Sequence, residues 1–483
     1  MKMMSVEQML FFGGIGTIIT VMLASLNWRR AVFAAFFMAL FEGAIRKWLL
    51  PSLSELVYFG KDIVLLGAYL KFYFDPEPDI KAYSLRVPGA LIAAVCMVLI
   101  IGGAMNPNIG SFILALYGIK IYLWYVPLAF MMPYLFRDQK DLTNKIFWYS
   151  TLAIPICLLG AAQFVAGPDS PLNCYAKTIY TEMNQIATFG AGSTRARISG
   201  TFSYLTGFTV FVVLFFVISL ALLTVLTGKR RLVVLFGNLP LLAANSLMSG
   251  SRGAVYSIII CSVFYVLASS IYRVTDEKKS GGGAAIYIIL GFGVVAAVTS
   301  LFFKDAVNEF QMRRRTTNDT TYDRLITPLW SVGQAAREVG FGGYGIGLSH
   351  PASEAMRTNL KLPAPKQRCP VYDSEMGQVL AELGWPGFLM WYYLRFSAIF
   401  ATWNAFKRAQ PSLQRALYLA CFCYQSIFFT AGVVLNHTAN FFVFATWGLC
   451  LLPNLYPAVG RRRPGYGGPV SLPAQPAPRY GSR

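Results

Sequence analysis

Apolar runs of membrane-spanning length recur along this chain, with short clusters of Lys and Arg between them. A hydrocarbon core about 30 Å thick needs about 20 apolar residues in a helix. Backbone groups inside lipid must be satisfied within the segment, so the runs are read as helices. A transmembrane barrel would show alternating segments of about ten residues, and the sequence has none. Only 13% of residues are charged, against about 25% in a soluble domain. The fold class expected is an all-α polytopic membrane bundle.

The hydropathy pattern gives thirteen spans, roughly 9–26, 31–45, 56–73, 88–105, 112–136, 146–166, 205–227, 231–247, 253–272, 284–303, 376–403, 413–431 and 437–453. The first ends in Asn27-Trp28-Arg29-Arg30 rather than a small-residue cleavage site, so it is kept as a span. The second is short, and without it twelve remain. One set of loops is basic throughout: Arg29 and Arg30; Lys71, Lys81 and Arg86; Arg137, Lys140 and Lys145; Lys229, Arg230 and Arg231; Arg273, Lys278 and Lys279; Lys407, Arg408 and Arg415; Arg461, Arg462 and Arg463. By the positive-inside rule these loops and the C-terminus are cytoplasmic. With thirteen spans the N-terminus is outside; with twelve it is inside.

The chain divides into a bundle over 1–460 and a basic tail, 461–483, whose Pro, Gly and Arg content predicts disorder. Two long segments fall on the outside, 167–204 and 304–375, the second being the large outer loop. Within it Leu325, Ile326, Leu329, Trp330, Val332, Ala336 and Val339 recur at helical spacing, which predicts an amphipathic helix at the membrane interface. Gly342-Gly343-Tyr344-Gly345-Ile346-Gly347 lacks the strand–loop–helix context of a nucleotide-binding loop.

A second population of charges sits outside or near the outer face: Arg46, Lys47, Arg195, Arg197, Arg252, Arg313, Arg314, Arg315 and Arg324. Glu42, Lys61, Asp62, Lys120, Glu382 and Arg395 lie in apolar runs. A charge inside a span costs at least about 2.5–3.5 kcal/mol and faces a cavity or a partner. Arg forks match phosphate oxygens, so an anion held at the membrane surface suits this set, with a lipid-linked diphosphate the natural candidate. The blander reading is structural: Lys61 and Asp62 pair with each other, and Lys120 snorkels.

Six cysteines lie in apolar runs, while Cys174 and Cys369 lie outside them and are either a disulfide or two free thiols. The two histidines, His350 and His437, cannot build a metal site alone, and no Cys/His spacing suggests zinc. His437, at the start of the last span, reads as a helix-start hydrogen bonder.

Ser251-Arg252-Gly253-Ala254, opening a span after a small-residue turn, resembles a signature of the O-antigen ligase/polymerase superfamily. Three further segments resemble that family in order: Arg197-Ile198-Ser199-Gly200-Thr201-Phe202, the glycine-rich stretch 342–347, and Gln378-Val379-Leu380-Ala381-Glu382-Leu383-Gly384-Trp385-Pro386-Gly387. The likeness covers about 195–453, and Glu42-Gly43-Ala44-Ile45-Arg46-Lys47-Trp48 looks like a subfamily feature of unassigned role.

The resemblance implies an integral membrane glycosyltransferase of the bacterial inner membrane, acting at the periplasmic face on an undecaprenyl-diphosphate-linked oligosaccharide, with no metal and no cofactor. It implies that Arg197 and Arg252 hold the diphosphate, with Arg195 and Arg324 in second rank. Ligases of this family carry His-Asn before the Gln-x-x-x-Glu-x-Gly segment; here Asp373 and Ser374 stand there, followed by Glu375. A carboxylate, Asp373 or else Glu375, would then be the base, and His350 is a further choice. The missing His tilts the expectation to a polymerase of O-antigen or exopolysaccharide repeat units. A ligase acting on lipid A-core or protein is the alternative, and a lipid-linked oligosaccharide flippase or transporter the second. Partners on this reading are membrane lipid, a chain-length regulator and a flippase, and no nucleic acid.

Overall fold

The computed structural model describes residues 6–75, 90–176, 186–190, 193–274, 284–316 and 321–452. Lys81, Arg86, Lys278, Lys279, Arg461, Arg462, Arg463 and the tail lie outside them. Among the described residues the protein is helical, with one isolated antiparallel β-bridge between Thr188 and Ala196.

Five helical stretches are long and apolar enough to cross a membrane: Phe112–Tyr134, Gln139–Ala166, Leu205–Val225, Gly228–Met248 and Arg252–Ile271. The bent pair Ile288–Leu301 and Lys304–Arg314, at 87° to one another, makes a sixth if counted as one. Other runs read as spans also form helices but are shorter, more charged or interrupted. Trp28–Ala44 has 17 residues and includes Arg29, Arg30 and Glu42; Leu413–Ile427 has 15 and His437–Cys450 has 14. Ser54–Phe74 carries Glu55, Lys61, Asp62 and Lys71.

Leu205–Val225 is the centre of the bundle. Side chains are buried from Val210 through Thr224 without a polar face, as expected of a helix enclosed by others. It packs against Leu413–Ile427, Leu239–Met248 and Arg252–Ile271. The last of these turns Ile259, Ile260, Val263 and Leu267 outward, each more than half exposed. Such a surface fits lipid rather than water.

Glu375–Arg408 contains a break the sequence did not reveal. Gly384 has φ 66° and ψ −174°, a conformation essentially restricted to glycine. The glycine-rich stretch lies in this break: Tyr344 and Gly345 donate backbone N–H to the carbonyls of Ala381 and Glu382 (2.7 and 3.0 Å), and Trp385 donates to Phe341 (3.2 Å). Glu382 anchors the end of that stretch, accepting from Ser349 N–H (2.9 Å), Ser349 Oγ (2.6 Å) and Tyr122 Oη (2.8 Å). Residues 347–350 are thereby held against the bundle.

The periodic segment of the long loop is a helix, Thr321–Glu338, containing Pro328. Ser331, Ala335 and Val339 are buried at i, i+4 and i+8 against Glu375–Arg408, while Leu329 and Trp330 are about two-thirds exposed.

Candidate functional site

The Arg197 and Ser251-Arg252 segments meet. Arg197 N–H donates to Ala187 carbonyl (2.8 Å) and Ile198 N–H to Met248 carbonyl (3.4 Å), which ties the segment to the end of Leu239–Met248. Arg197 Nε donates to Ser249 carbonyl at 3.0 Å. Gly250 makes room for this: a Cβ there would lie 2.8 Å from Arg197 Nε. Ser251 caps the next helix, accepting from Ala254 N–H at 3.3 Å, and Arg252 is its buried first residue. The two arginines therefore flank one turn.

The helices on either side of that turn line an apolar cavity of about 650 Å³, which neither arginine reaches. Leu247 and Val255 line it nearest the turn and Leu267 farthest, with Phe292 and Val295 opposite. Twelve residues from Val255 to Leu267 correspond to about 18 Å of helix.

A second cavity, about 620 Å³, is walled by several unlike segments: Glu42, Gly43 and Arg46; residues 173–176; residues 202–204, Thr206 and Gly207; residues 349–351; and residues 435–438. Gly43 lets two of these touch, since a Cβ there would meet Ser203 N at 2.3 Å. Thr201 Oγ1 donates to Leu40 carbonyl at 2.5 Å. Lys47 Nζ donates to Ser199 Oγ (3.0 Å) and Gly200 carbonyl (2.8 Å), and Arg46 Nη1 to Ser203 Oγ (2.9 Å). The 42–48 feature of unassigned role thus grips the 197–202 segment. Burial pulls the Lys47 ammonium down to about 7, against the neighbouring Cys174.

Buried ion pairs lie beside this cavity, with partners other than expected. Lys61 pairs with Glu42 (2.6 Å) and Lys120 with Asp62 (2.9 Å), whose other oxygen accepts from Tyr125 Oη (2.6 Å). Lys61 and Asp62 do not pair with each other, because neighbours in a helix point about 100° apart and reach different helices. Lys120 does not snorkel: Asp62 holds it inside.

The expected acids separate. Asp373 is exposed, two residues from Val371 in the cavity lining. Glu375 is buried, paired with Arg395 at 2.9 Å, and accepts the backbone N–H groups of Val434 and Leu435. These contacts tie it to the 433–436 turn. Arg195 pairs with Asp305 (3.1 Å) and donates to Val165 carbonyl. Arg324 lies on Thr321–Glu338, but its side chain falls outside the described residues.

The two histidines come together, ring centroids 6.1 Å apart. His350 Nδ1 accepts from Ala352 N–H (3.1 Å) and faces Tyr117 Oη (3.2 Å). Burial, opposed by a hydrogen bond to the Leu435 backbone and reinforced by Lys120, brings its imidazole down to about 4. His350 is therefore neutral at physiological pH. His437 is not the helix-start hydrogen bonder. Asn436 caps that helix, accepting from Thr438 and Ala439 N–H (3.0 and 3.2 Å), and neither His437 ring nitrogen has a hydrogen-bond partner among the described residues.

Cys174 and Cys369 are both free thiols; Cys174 lines the second cavity and burial pushes Cys369 up to about 12. No group of three or more His, Cys, Asp or Glu that could hold a metal occurs among the described residues. Sequence reasoning missed Tyr58, Gln378 and His437 as cavity residues, and left Arg46 without a role. The one available signal was the cluster at 42–48. Compared with known proteins, the chain matches no family model and no curated protein.

Proposed function

We propose that this protein is a membrane polymerase of polysaccharide repeat units. It takes a glycan from a polyprenyl diphosphate and joins it to a hydroxyl of another lipid-linked unit at the outer face of the inner membrane. The observation that carries this reading is that Arg197 and Arg252 flank one turn, between helices that line an apolar cavity of about 650 Å³. A diphosphate on the turn would leave its isoprenoid tail to follow Arg252–Ile271.

In the displacement, the acceptor oxygen attacks the anomeric carbon as the carbon–oxygen bond to the diphosphate breaks. The bonding electrons leave on the diphosphate, where fixed cations stabilise the developing charge. The hydroxyl proton passes to Asp373, the exposed carboxylate beside the second cavity. Glu375 positions the turn before His437 rather than acting as base.

Purified protein in nanodiscs, given lipid-linked repeat units, should yield a ladder of products. Arg252→Ala should reduce turnover at least ~100-fold, the scale seen on losing one transition-state donor. A single transfer to a different acceptor would make the protein a ligase. The buried pairs Lys61–Glu42 and Lys120–Asp62 are what favours a transporter, since intramembrane charges also mark ion pathways. Translocation without turnover would replace the enzyme reading by that one.

A further inference from the structure

The second cavity holds buried polar atoms with nothing to bond. Arg46, Gln378 and His437 all line it, and each is more than nine-tenths buried. Arg46 Nη2, Gln378 Oε1 and both His437 ring nitrogens lack partners among the described residues. The Gln378 amide is oriented, because Nε2 donates to Tyr372 carbonyl at 2.8 Å and leaves Oε1 without a bond. Buried polar groups are nearly always bonded, and one left unmade costs more than a typical bond gains. Three such side chains around one cavity mark a place where a ligand completes the bonding.

The charge of that ligand is set by a local count. Arg46, Lys61 and Lys120 all lie against the Tyr58 ring, at 4.9, 5.1 and 4.6 Å. Glu42 is taken by Lys61 and Asp62 by Lys120. Three cations thus face two carboxylates, and Arg46 is the one with no carboxylate hydrogen bond: it shares the field of Glu42 with Lys61, and its hydrogen bonds go to Ser54 Oγ (3.0 Å) and Ser203 Oγ (2.9 Å), both neutral. An oxyanion at Nη2 would neutralise it.

The rest of the lining describes the body of the ligand. Tyr58, Tyr175 and Tyr204 are among its aromatic residues, while Gln378 carries an unbonded acceptor and His437 an unbonded ring. Rings with polar neighbours suit a molecule with alternating C–H faces and hydroxyls. About 620 Å³ is within the range of small-ligand sites and holds more than a lone ion.

We propose that this cavity is a subsite for an acidic glycan, with Arg46 reading its carboxylate or phosphate substituent and Gln378 and His437 bonding its hydroxyls. The site is separate from the Arg197–Arg252 turn, neither arginine of which lines it. The proposal rests on the glycan-transfer reading only for the ligand being a glycan.

The test is equilibrium binding to the full chain in nanodiscs, using three probes: an oligosaccharide containing glucuronate, its neutral glucose counterpart, and a polyprenyl monophosphate without sugar. Wild-type protein should bind the acidic oligosaccharide at least tenfold more tightly than the neutral one. Arg46→Gln should erase that preference, and Arg46→Lys should restore part of it. His437→Ala and Gln378→Ala should weaken both sugars several-fold, while Lys140→Gln, losing an exposed charge elsewhere, should change nothing.

Arg46 also bonds Ser54 and Ser203, so its loss could unsettle the fold. Thr206→Trp avoids this, because Thr206 is exposed at the cavity lining and a large side chain there should block both sugars. Wild-type affinity for the acidic oligosaccharide in Arg46→Gln and Thr206→Trp overturns the proposal. So does Arg46-dependent binding of the polyprenyl phosphate alone, which would assign the oxyanion to lipid, or no binding of any probe. Arg46-dependent binding of acidic glycan without turnover would leave this site standing and remove the transfer reading. Turnover with no acidic preference would do the reverse.

Discussion

Lys47 is where burial and hydrogen bonding oppose each other most clearly at the scale of one residue. It lies just past Trp28–Ala44, donates to Ser199 and Gly200, and burial still lowers its ammonium to about 7 from an ordinary 10.5. The folded chain therefore binds fewer protons than the unfolded chain between those values. Stability should rise with pH over that window and level off above it, because stability increases wherever the unfolded state is the more protonated. The measurement is the melting temperature of wild-type protein minus that of Lys47→Met in detergent from pH 7 to 10. A difference that does not change with pH would show that Lys47 keeps its ordinary affinity for protons. Gly43 beside it supplies a steric counterpart. A Cβ there would be 2.3 Å from Ser203 N and 2.5 Å from Thr201 O, so Gly43→Val should destabilise by at least ~1–3 kcal/mol, as overpacking does. Differential scanning calorimetry reads this directly. At this scale the sequence was legible in part. Arg252 could be singled out because it opens a span after a small-residue turn, and Arg197 through the family resemblance alone. Arg46 and His437 could not be ranked, since unbonded buried atoms are visible only in the folded chain. The Lys61–Asp62 pairing misled because adjacency in sequence is separation around a helix.

Between elements, the glycine-rich stretch and the break in Glu375–Arg408 form a single device. The helix stops bonding to itself near Gly384, and the backbone of residues 341–345 takes up the vacated groups. A Cβ on Gly384 would lie 2.1 Å from Phe341 carbonyl oxygen, and its positive φ strains any other residue. Gly384→Ala should thus expel the loop, lowering stability by at least ~1–3 kcal/mol and opening 341–349 to limited proteolysis. Gly342→Ala meets open space and should leave the cleavage pattern unchanged. Equal cleavage in both variants would mean the loop is not held by the break. Because Ser349 and His350 come next on the same loop, this device also positions part of the lining of the second cavity. Both segments were visible as motifs, and the helix of 321–338 as a periodicity. Their mutual packing was not visible, because an apolar stretch such as 376–403 scores as one span whether or not a distant loop interrupts it.

For the molecule as a whole, helical class was written in hydropathy, whereas the count of crossings was not. Charged and broken helices such as Ser54–Phe74 and Glu375–Arg408 are stabilised by partners within the bundle, and a sliding average cannot see partners. Orientation can be tested apart from the count, because the basic clusters make one prediction for all loops. Lys140 and Lys407 belong to clusters assigned to the cytoplasm, and Glu354 and Arg368 to the long segment assigned to the outside. All four are exposed, so cysteines at these positions should react with a membrane-impermeant maleimide wherever solvent reaches them. The native background is small, since seven cysteines are buried and the eighth, Cys174, can be replaced by Ser. In right-side-out vesicles Glu354→Cys and Arg368→Cys should label at once, and Lys140→Cys and Lys407→Cys only after permeabilisation. Both cavities depend on the outcome. Ser349 and His350 precede Glu354 by about one helical turn and line the second cavity, so the side on which Glu354 reacts is the side from which a glycan would enter. Early labelling of Lys140→Cys with protection of Arg368→Cys would invert the protein and remove the outer-face site; the same labelling for all four would remove the alternation itself.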